Sequence, residues 1–551
     1  MHTLDWIVLA GSLTFIVSYG LYRSRGSNTV NRYLLAGKTM PWYAMALSIM
    51  ATQASAITFI STTGQAYVDG MRFVQFYFGL PVAMVILSAT AVPIFHRANV
   101  YTAYEYLEVR FDAKTRALGS IIFLIQRGLA VGLALYAPAI VLGVIFGWRD
   151  QVTTLIMGLM VIGYTVAGGI QAVTWTDVQQ MVVLMAGVVL ALVMVVALLP
   201  ADVTFGDALY LAGKAGRLNA VDFSFDWENR YNVWSGLFGG MFLALAYFGC
   251  DQSQVQRYLT GRSIAQSRFS LLFNAVAKLP MQFFILLVGA LVFVFYIFQP
   301  PPILFRPAAL TQMERQADYP AVAAQYERAA GERREAARAL LAGRGNGDEA
   351  ALTARYNEAQ RTFDTLRRDT GERVEKGFND TNYIFLSFVT TYLPIGAVGL
   401  IVAAIFAAAM STISAEINSL ATVTVIDLYK RHVFKNASDR HYLIASRAAT
   451  AFWGFYAVAF AGYARNLGSL IEAVNMLGSL FYGSLLGVFT LAFFFPKVRG
   501  TGAFVGMLAG EAAIVAAHLS GVSFLWYNVA GCAATVVTGF LLSAARQDDR
   551  L

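Results

Sequence analysis

Apolar runs of about 20 residues recur along this chain from residue 5 to residue 545, and nothing constrains its fold more. A hydrocarbon core about 30 Å thick takes about 20 helical residues to cross. Thirteen runs reach that length: 5–23, 42–68, 73–96, 117–147, 152–170, 175–199, 234–256, 269–298, 396–425, 442–463, 467–495, 502–520 and 524–545. Each must satisfy its own backbone hydrogen bonds in lipid, so the expected fold class is all-α, a polytopic membrane bundle. Composition agrees: 57% of the 551 residues are hydrophobic and 13% charged. The first run follows Met1-His2-Thr3-Leu4, without a basic leader region or a small-residue cleavage site after it, and reads as a retained helix.

A net charge of +8 matters less in such a chain than where the basic residues fall. With the N-terminus outside, the inner loops hold Arg23, Arg25, Arg32 and Lys38, then Arg97, Arg110, Lys114 and Arg116. Further along they hold Arg257, Arg262 and Arg268, then Lys430, Arg431, Lys435 and Arg440, then Lys497, Arg499, Arg546 and Arg550. That is the positive-inside pattern, with the C-terminus cytoplasmic and the plasma membrane as the location. No nucleic-acid partner is implied. Cys250 and Cys532 both fall within apolar runs and suggest packing, not a disulfide or a metal site.

One segment, 305–378, is rich in Arg, Glu, Asp and Ala and carries no spanning run. Helical composition over Ala321–Leu341 and Glu349–Val374, separated by Gly343-Arg344-Gly345-Asn346-Gly347, predicts a charged, exposed hairpin on the extracytoplasmic side. Two apolar runs are themselves punctuated. Run 42–68 contains Ala51-Thr52-Gln53-Ala54-Ser55, and run 234–256 contains Gly249 and Asp251-Gln252. Broken helices survive in a membrane only where they line a cavity or lie buried in protein, so the pair suggests sites at mid-membrane. Close helix packing alone remains the alternative.

Hydroxyls crowd Phe406-Ala407-Ala408-Ala409-Met410-Ser411-Thr412-Ile413-Ser414-Ala415-Glu416. Hydroxyls on one helix, together with carbonyls freed by a broken one, offer the hard oxygens that a small cation needs in place of water. Helix-to-helix hydrogen bonding is the competing reading.

The stretch Phe406 to Lys430, ending Ile426-Asp427-Leu428-Tyr429-Lys430, resembles the signature of the sodium:solute symporter family. Further matches are Tyr33-Leu34-Leu35-Ala36-Gly37-Lys38, Tyr101 to Phe111, Gly168 to Asp177 and Asp251 to Tyr258, so the likeness covers nearly everything except 305–378. The resemblance implies a leucine-transporter-like (APC) fold. Residues 1–41 would be an extra helix and loop, 42–200 the first five-helix repeat, 234–495 the inverted second repeat, and 496–551 two further helices.

It also implies Na+ as coupling ion, held by the carbonyls of Ala51, Ala54 and Ala408 and the hydroxyls of Ser411 and Thr412. A second sodium, or an exit path, would use Asp177 and Ser414 beside Ser411, although Ala415 lacks the hydroxyl expected there. Lys278 matches a substrate lysine of the sugar carriers, with snorkelling to the interface as its alternative. The rest of the sugar pattern fails, for Thr58, Tyr77 and Ala244 replace its polar residues, while Tyr247 keeps the inner-gate tyrosine. Wording around Tyr101 and Asp251 is closer to the carriers of anions. Arg127 could then pair a carboxylate, or else a carboxylate of the protein such as Asp251 or Glu472. Gln53, Ser55, Gln75, Phe76 and Asn475 complete the expected substrate site, and Phe59, Tyr136 and Phe481 are candidate cavity walls.

The expected function is sodium-driven import of a small polar or anionic organic solute by alternating access. The protein would act as a monomer whose partners are solute, sodium ion and lipid bilayer. The alternatives are a transport-inactive sensor or receptor on the same fold and a sodium/sugar symporter. No enzyme is expected, since His2, His96, His432, His441 and His518 form no metal or nucleophile cluster.

Overall fold

A computed structural model describes residues 1–147, 150–463 and 469–548; the start of the run expected at 467, Arg550 and Leu551 lie outside them. Among the described residues the chain is helical with no β-strand, apart from one bridge between Met40 and Gly261. The helices used below are α1 (Thr3–Arg23), α2 (Trp42–Gln53), α3 (Ala56–Asp69), α4 (Ala113–Phe146) and α5 (Asp150–Ala197). They are followed by α6 (Gly240–Gly249), α7 (Gln252–Leu259), α8 (Ile264–Phe298), α9 (Tyr319–Ala342), α10 (Glu349–Val374) and α11 (Thr381–Tyr392). Then come α12 (Ala397–Val423), α13 (Asp439–Ala461), α14 (Leu470–Phe494), α15 (Gly500–Leu519) and α16 (Phe524–Asp548).

Ten apolar helical stretches among the described residues are long enough to cross a membrane, against thirteen runs expected. Continuity explains the difference. α5 has 48 residues, about 72 Å of helix and more than twice the hydrocarbon thickness. Gly169 divides it, adopting φ 57 and ψ −152. A side chain there would collide with the Tyr33 carbonyl, so glycine serves both the turn and the contact. The stretch 56–98 likewise counts once although a tight turn over Gly70–Tyr77 interrupts it, and α6 is too short to count.

α8 runs alongside the broken pair α2 and α3. Asn274 donates to the Ala46 carbonyl at 3.2 Å, and Gly289 sits against the backbone of Thr63. Lys278 and Gln282, one and two turns beyond Asn274, therefore fall at the level of the α2–α3 break. α12 is held at its start by α1: the buried Asp5 carboxylate accepts from Gly396 N–H at 2.6 Å and Gly399 N–H at 3.0 Å. α11 has no counterpart among the expected spans. Thr381 packs its backbone on Gly64 of α3, and Phe385 stacks against Phe59 at 5.1 Å.

The hairpin forms where its composition placed it, but it is docked rather than freely exposed. Val322, Tyr326 and Phe363 close over Leu304 and Met313, while Ala336, Ala337, Leu340 and Tyr356 join the main core. Arg333 is fully buried, with its guanidinium 3.7 Å above the Phe363 ring and one nitrogen on the Tyr296 carbonyl of α8. Rim pairs Arg344–Asp207 and Lys214–Glu349 tie the tip to the short helix Phe205–Lys214 that follows α5. The Lys214 ammonium, the Tyr210 hydroxyl and Gly345 N–H hold the Glu349 carboxyl down to about 2 from 4.5.

Two outcomes follow from these ties. Asp5→Ala removes the acceptor at the start of α12 and should lower stability by about 1 to 2 kcal/mol, seen as a lower melting temperature, with Asp5→Asn recovering much of it. Glu349 is ionised in its folded contacts further into acid than in the unfolded chain. Its tie is therefore fully present above pH 4.5 and lost as pH falls toward 2, which hydrogen exchange at residues 343–349 would register.

Candidate functional site

α2 stops at Gln53 because Ala54 leaves helical geometry at φ −87 and ψ 68, and Ser55 then caps α3 through the Thr58 N–H. A helix end leaves carbonyls without intrahelical partners, and here they lie inside the bundle. Thr412 on α12 reaches them. Its hydroxyl lies 3.0 Å from the Thr52 carbonyl and 3.3 Å from the Ala408 carbonyl of its own helix. Ser411 stands next to it, and Ala51, Ala54, Ala408, Ser411 and Thr412 are all buried. Uncharged oxygens from two helices thus converge at one gap, which is chemistry suited to a dehydrated alkali ion.

Ser411 links this gap to a carboxylate. Its hydroxyl donates to Asp177 at 2.7 Å, while Ser48 donates to the other Asp177 oxygen at 2.5 Å. Ser414 donates to the Ser411 carbonyl at 3.1 Å, and Tyr164 to the Met410 carbonyl at 3.0 Å. Buried Arg257 on α7 lies within electrostatic range of Asp177. Ser48 and Tyr164 were not singled out from the sequence, and Arg257, read there as a basic residue of an inner loop, is instead buried on α7. Ser48 could have been, since it precedes Ala51 by three residues and so shares its helix face.

A second cluster surrounds the other broken helix. α6 ends at Gly249, and Asp251 restarts the chain by capping α7 through Ser253 N–H at 2.8 Å. Arg127 pairs with Asp251 and, at 2.7 Å, with Glu416; Tyr482 donates to Asp251 at 2.7 Å. Two carboxylates thus hold the terminal nitrogens of Arg127 while its Nε stays unpartnered among the described residues, so the protein's own carboxylates and not a solute engage it, with Glu416 in place of Glu472. Glu472 instead binds Arg230 and Tyr231 in the stretch before α6. The Tyr247 hydroxyl accepts from Gln254 at 2.8 Å, and its ring lies 5.5 Å from the Arg127 guanidinium.

The remaining expected substrate residues divide. Lys278 is fully buried, its ammonium has no hydrogen-bond partner among the described residues, and the Tyr77 ring lies 5.4 Å away. The side-chain amide of Gln282 and the Gln53 side-chain oxygen are buried and likewise unpartnered. Ser55 and Thr58 are committed to the break, Thr58 to the Gln53 carbonyl at 3.3 Å. Gln75 belongs to the loop beyond α3, bonded to the Tyr231 carbonyl and Asp222 N–H; Phe76 stacks on Phe73; Asn475 bonds to the Ile471 carbonyl of its own helix.

Comparison with known proteins agrees with this architecture. A sequence model of the Sodium:solute symporter family matches residues 33–323 and 365–510, omitting the middle of the hairpin. The chain is 28% identical over 511 residues to the sodium-coupled monocarboxylate transporter 1 of Xenopus laevis, covering 92% of this chain and 70% of that protein. It is 28% identical over 548 residues to the sodium/sialic acid symporter NanT of Aliivibrio fischeri, covering 98% and 92%. Its structure superimposes on that of a Na+-coupled sialic acid symporter in a substrate-bound outward-open state, with TM-score 0.78, 25% identity and coverage of 99% and 98%. The chain therefore belongs to the sodium:solute symporter family and is a multi-pass membrane transporter that moves a solute together with Na+.

Proposed function

We propose that the solute is a small organic carboxylate and that Lys278, not Arg127, meets its charge. The supporting observation is the state of these two cations. Arg127 is occupied by Asp251 and Glu416, whereas Lys278 is buried, uncommitted and level with the break in the first broken helix. An unpaired ammonium in the membrane is costly and persists where a partner arrives with the substrate. Relatives named for monocarboxylates and for sialic acid fit the same chemistry. Gln53 and Gln282 supply free polar groups nearby for the rest of the solute. The hexose reading has less support, because Tyr77 stands over the lysine and Ala244 offers no hydrogen bond.

Sodium is held by the carbonyls of Ala51, Ala54 and Ala408 with the hydroxyls of Ser411 and Thr412. Asp177 and Ser414, sharing Ser411, form its exit path toward the cytoplasm. The protein sits in the plasma membrane as a monomer, N-terminus outside and C-terminus inside, an orientation that the positions of the basic residues support. Sodium entering from outside joins α2–α3 to α12, which completes the carboxylate site; the helices then rock, and low cytoplasmic sodium empties the site.

Two measurements in proteoliposomes test this reading. Ser411→Ala with Thr412→Ala should raise the sodium concentration for half-maximal uptake about tenfold or more, the cost of two lost ligand oxygens at about 1.4 kcal/mol per decade; unchanged sodium dependence sinks the site. Lys278→Gln should raise the KM of the transported carboxylate about a hundredfold, as expected for a buried charge pair of roughly 3 kcal/mol, with sodium binding retained. If carboxylates bind Lys278→Gln as well as they bind wild type, the anion assignment fails. A thermal-shift screen of sugars, amino acids, monocarboxylates and sialic acids, with and without sodium, identifies the solute.

A further inference from the structure

At the end of the bundle that carries the α1–α2 loop lies a cavity of about 660 Å³, open to the surface. Arg23, Arg25 and Arg262 line it together with Tyr22, Tyr43 and Trp175. The three arginines come from the end of α1, the chain just beyond it and the loop after α7, so the fold gathers them; they are not a run in sequence. No Asp or Glu lines the cavity, and among the described residues no carboxylate pairs with any of the three. Other basic clusters on this protein do carry their counter-charge. Arg116 and Arg431 share Glu108, while Arg338, Arg344 and Arg373 each meet an aspartate.

The three arginines are held in place without being neutralised. Arg23 stacks over Trp175 at 4.1 Å, Arg25 lies over the Tyr22 ring at 5.2 Å, and Arg262 donates to the Thr39 carbonyl at 2.9 Å. Gln171 donates to the Arg23 carbonyl at 3.1 Å, fixing the end of α1 against α5. Three guanidinium groups fixed around one hollow with no internal acid are complementary to a phosphate.

The surroundings decide what carries that phosphate. The mouth is flanked by exposed aromatics, with Tyr22 at 61%, Tyr43 at 47% and Trp42 at 42% exposure. Trp42 continues into an exposed patch with Phe269 and Phe273, at ring distances of 6.5 and 6.3 Å. Tyrosine and tryptophan at such exposure mark the depth of the lipid headgroups, and the apolar patch beside them gives acyl chains a surface. We propose that this cavity binds the headgroup of an acidic phospholipid, wedged between α1, α5 and the start of α2. Because α2 is one half of the broken helix, the bound lipid braces the α2 end that must move when the transporter opens.

Native mass spectrometry of the full chain extracted from vesicles of phosphatidylcholine with phosphatidylglycerol tests the proposal. Wild type should retain phosphatidylglycerol selectively through delipidation. The triple variant Arg23→Ala, Arg25→Ala, Arg262→Ala should bind it on the order of a hundredfold more weakly, about fivefold for each basic residue at an acidic surface. Arg97→Ala with Lys435→Ala, exposed basic residues outside the cavity, should retain it fully. Melting temperature in phosphatidylcholine alone checks folding, and if the triple variant does not fold, the single reversal Arg25→Glu replaces it and should still cut retention about tenfold or more. Undiminished retention by the folded variant overturns the proposal. So does equal retention of phosphatidylcholine, or displacement of the lipid by inorganic phosphate, which would make the site one for a soluble anion.

Discussion

The gap between Gln53 and Ser55 is the constraint on which the rest of this transporter depends. A membrane offers backbone carbonyls no water, so a helix can stop there only if other protein groups answer the ones it releases. Thr412 answers from α12, and Ser411 beside it passes the connection to Asp177 and through Asp177 to Ser48. One small region thereby joins α2, α5 and α12 through side chains with no strong preference for each other over an ion. Hydroxyls can turn from donating a proton to coordinating a cation with little movement. At the proposed sodium site, that exchange would couple ion occupancy to the relative position of these helices.

The cluster around Asp251 makes a contrasting use of a broken helix. Arg127, Asp251, Glu416 and Tyr482 join α4, the α6–α7 junction, α12 and α14 with direct charge pairs. Removing one partner of such a buried set leaves another charge uncompensated, which is far more damaging than losing a hydroxyl. One break is therefore built from groups an ion can replace, and the other from groups that lock to one another. A rocking mechanism needs both kinds of joint.

Much of this was readable in the residues. Apolar run length located most of the long helices, though not α11, and Ala51-Thr52-Gln53-Ala54-Ser55 announced its own break through small and polar residues where a spanning helix should be apolar. Hydroxyls at 411, 412 and 414 stood out for the same reason. Continuity across Gly169 was not readable, since composition does not distinguish a glycine that packs from one that turns. Arg127 was ambiguous for a deeper reason: its partners lie 124 and 289 residues away, and only the fold decides whether a buried cation meets the protein or the solute. Lys278 was flagged, but its level beside the break emerged from Asn274 and Gly289, two residues with no chemical signal of their own. The hairpin's charged composition concealed an apolar inner stripe, Val322, Tyr326 and Phe363, spread too thinly along α9 and α10 to suggest docking.

Asp5 belongs to the first helix of the chain, and its carboxylate grips the first turn of α12. At the opposite end the same helix runs on without interruption into wider turns over Thr424–Val433. That end is tied as well, since the buried Asp427 carboxylate accepts from Arg116 at 2.7 Å and from Thr102 at 2.8 Å, so the rod is braced at both extremities. Ser411 and Thr412 sit about halfway along α12, between the two braces. The first helix and a buried ion pair thus hold the two ends of the segment that carries the proposed sodium ligands.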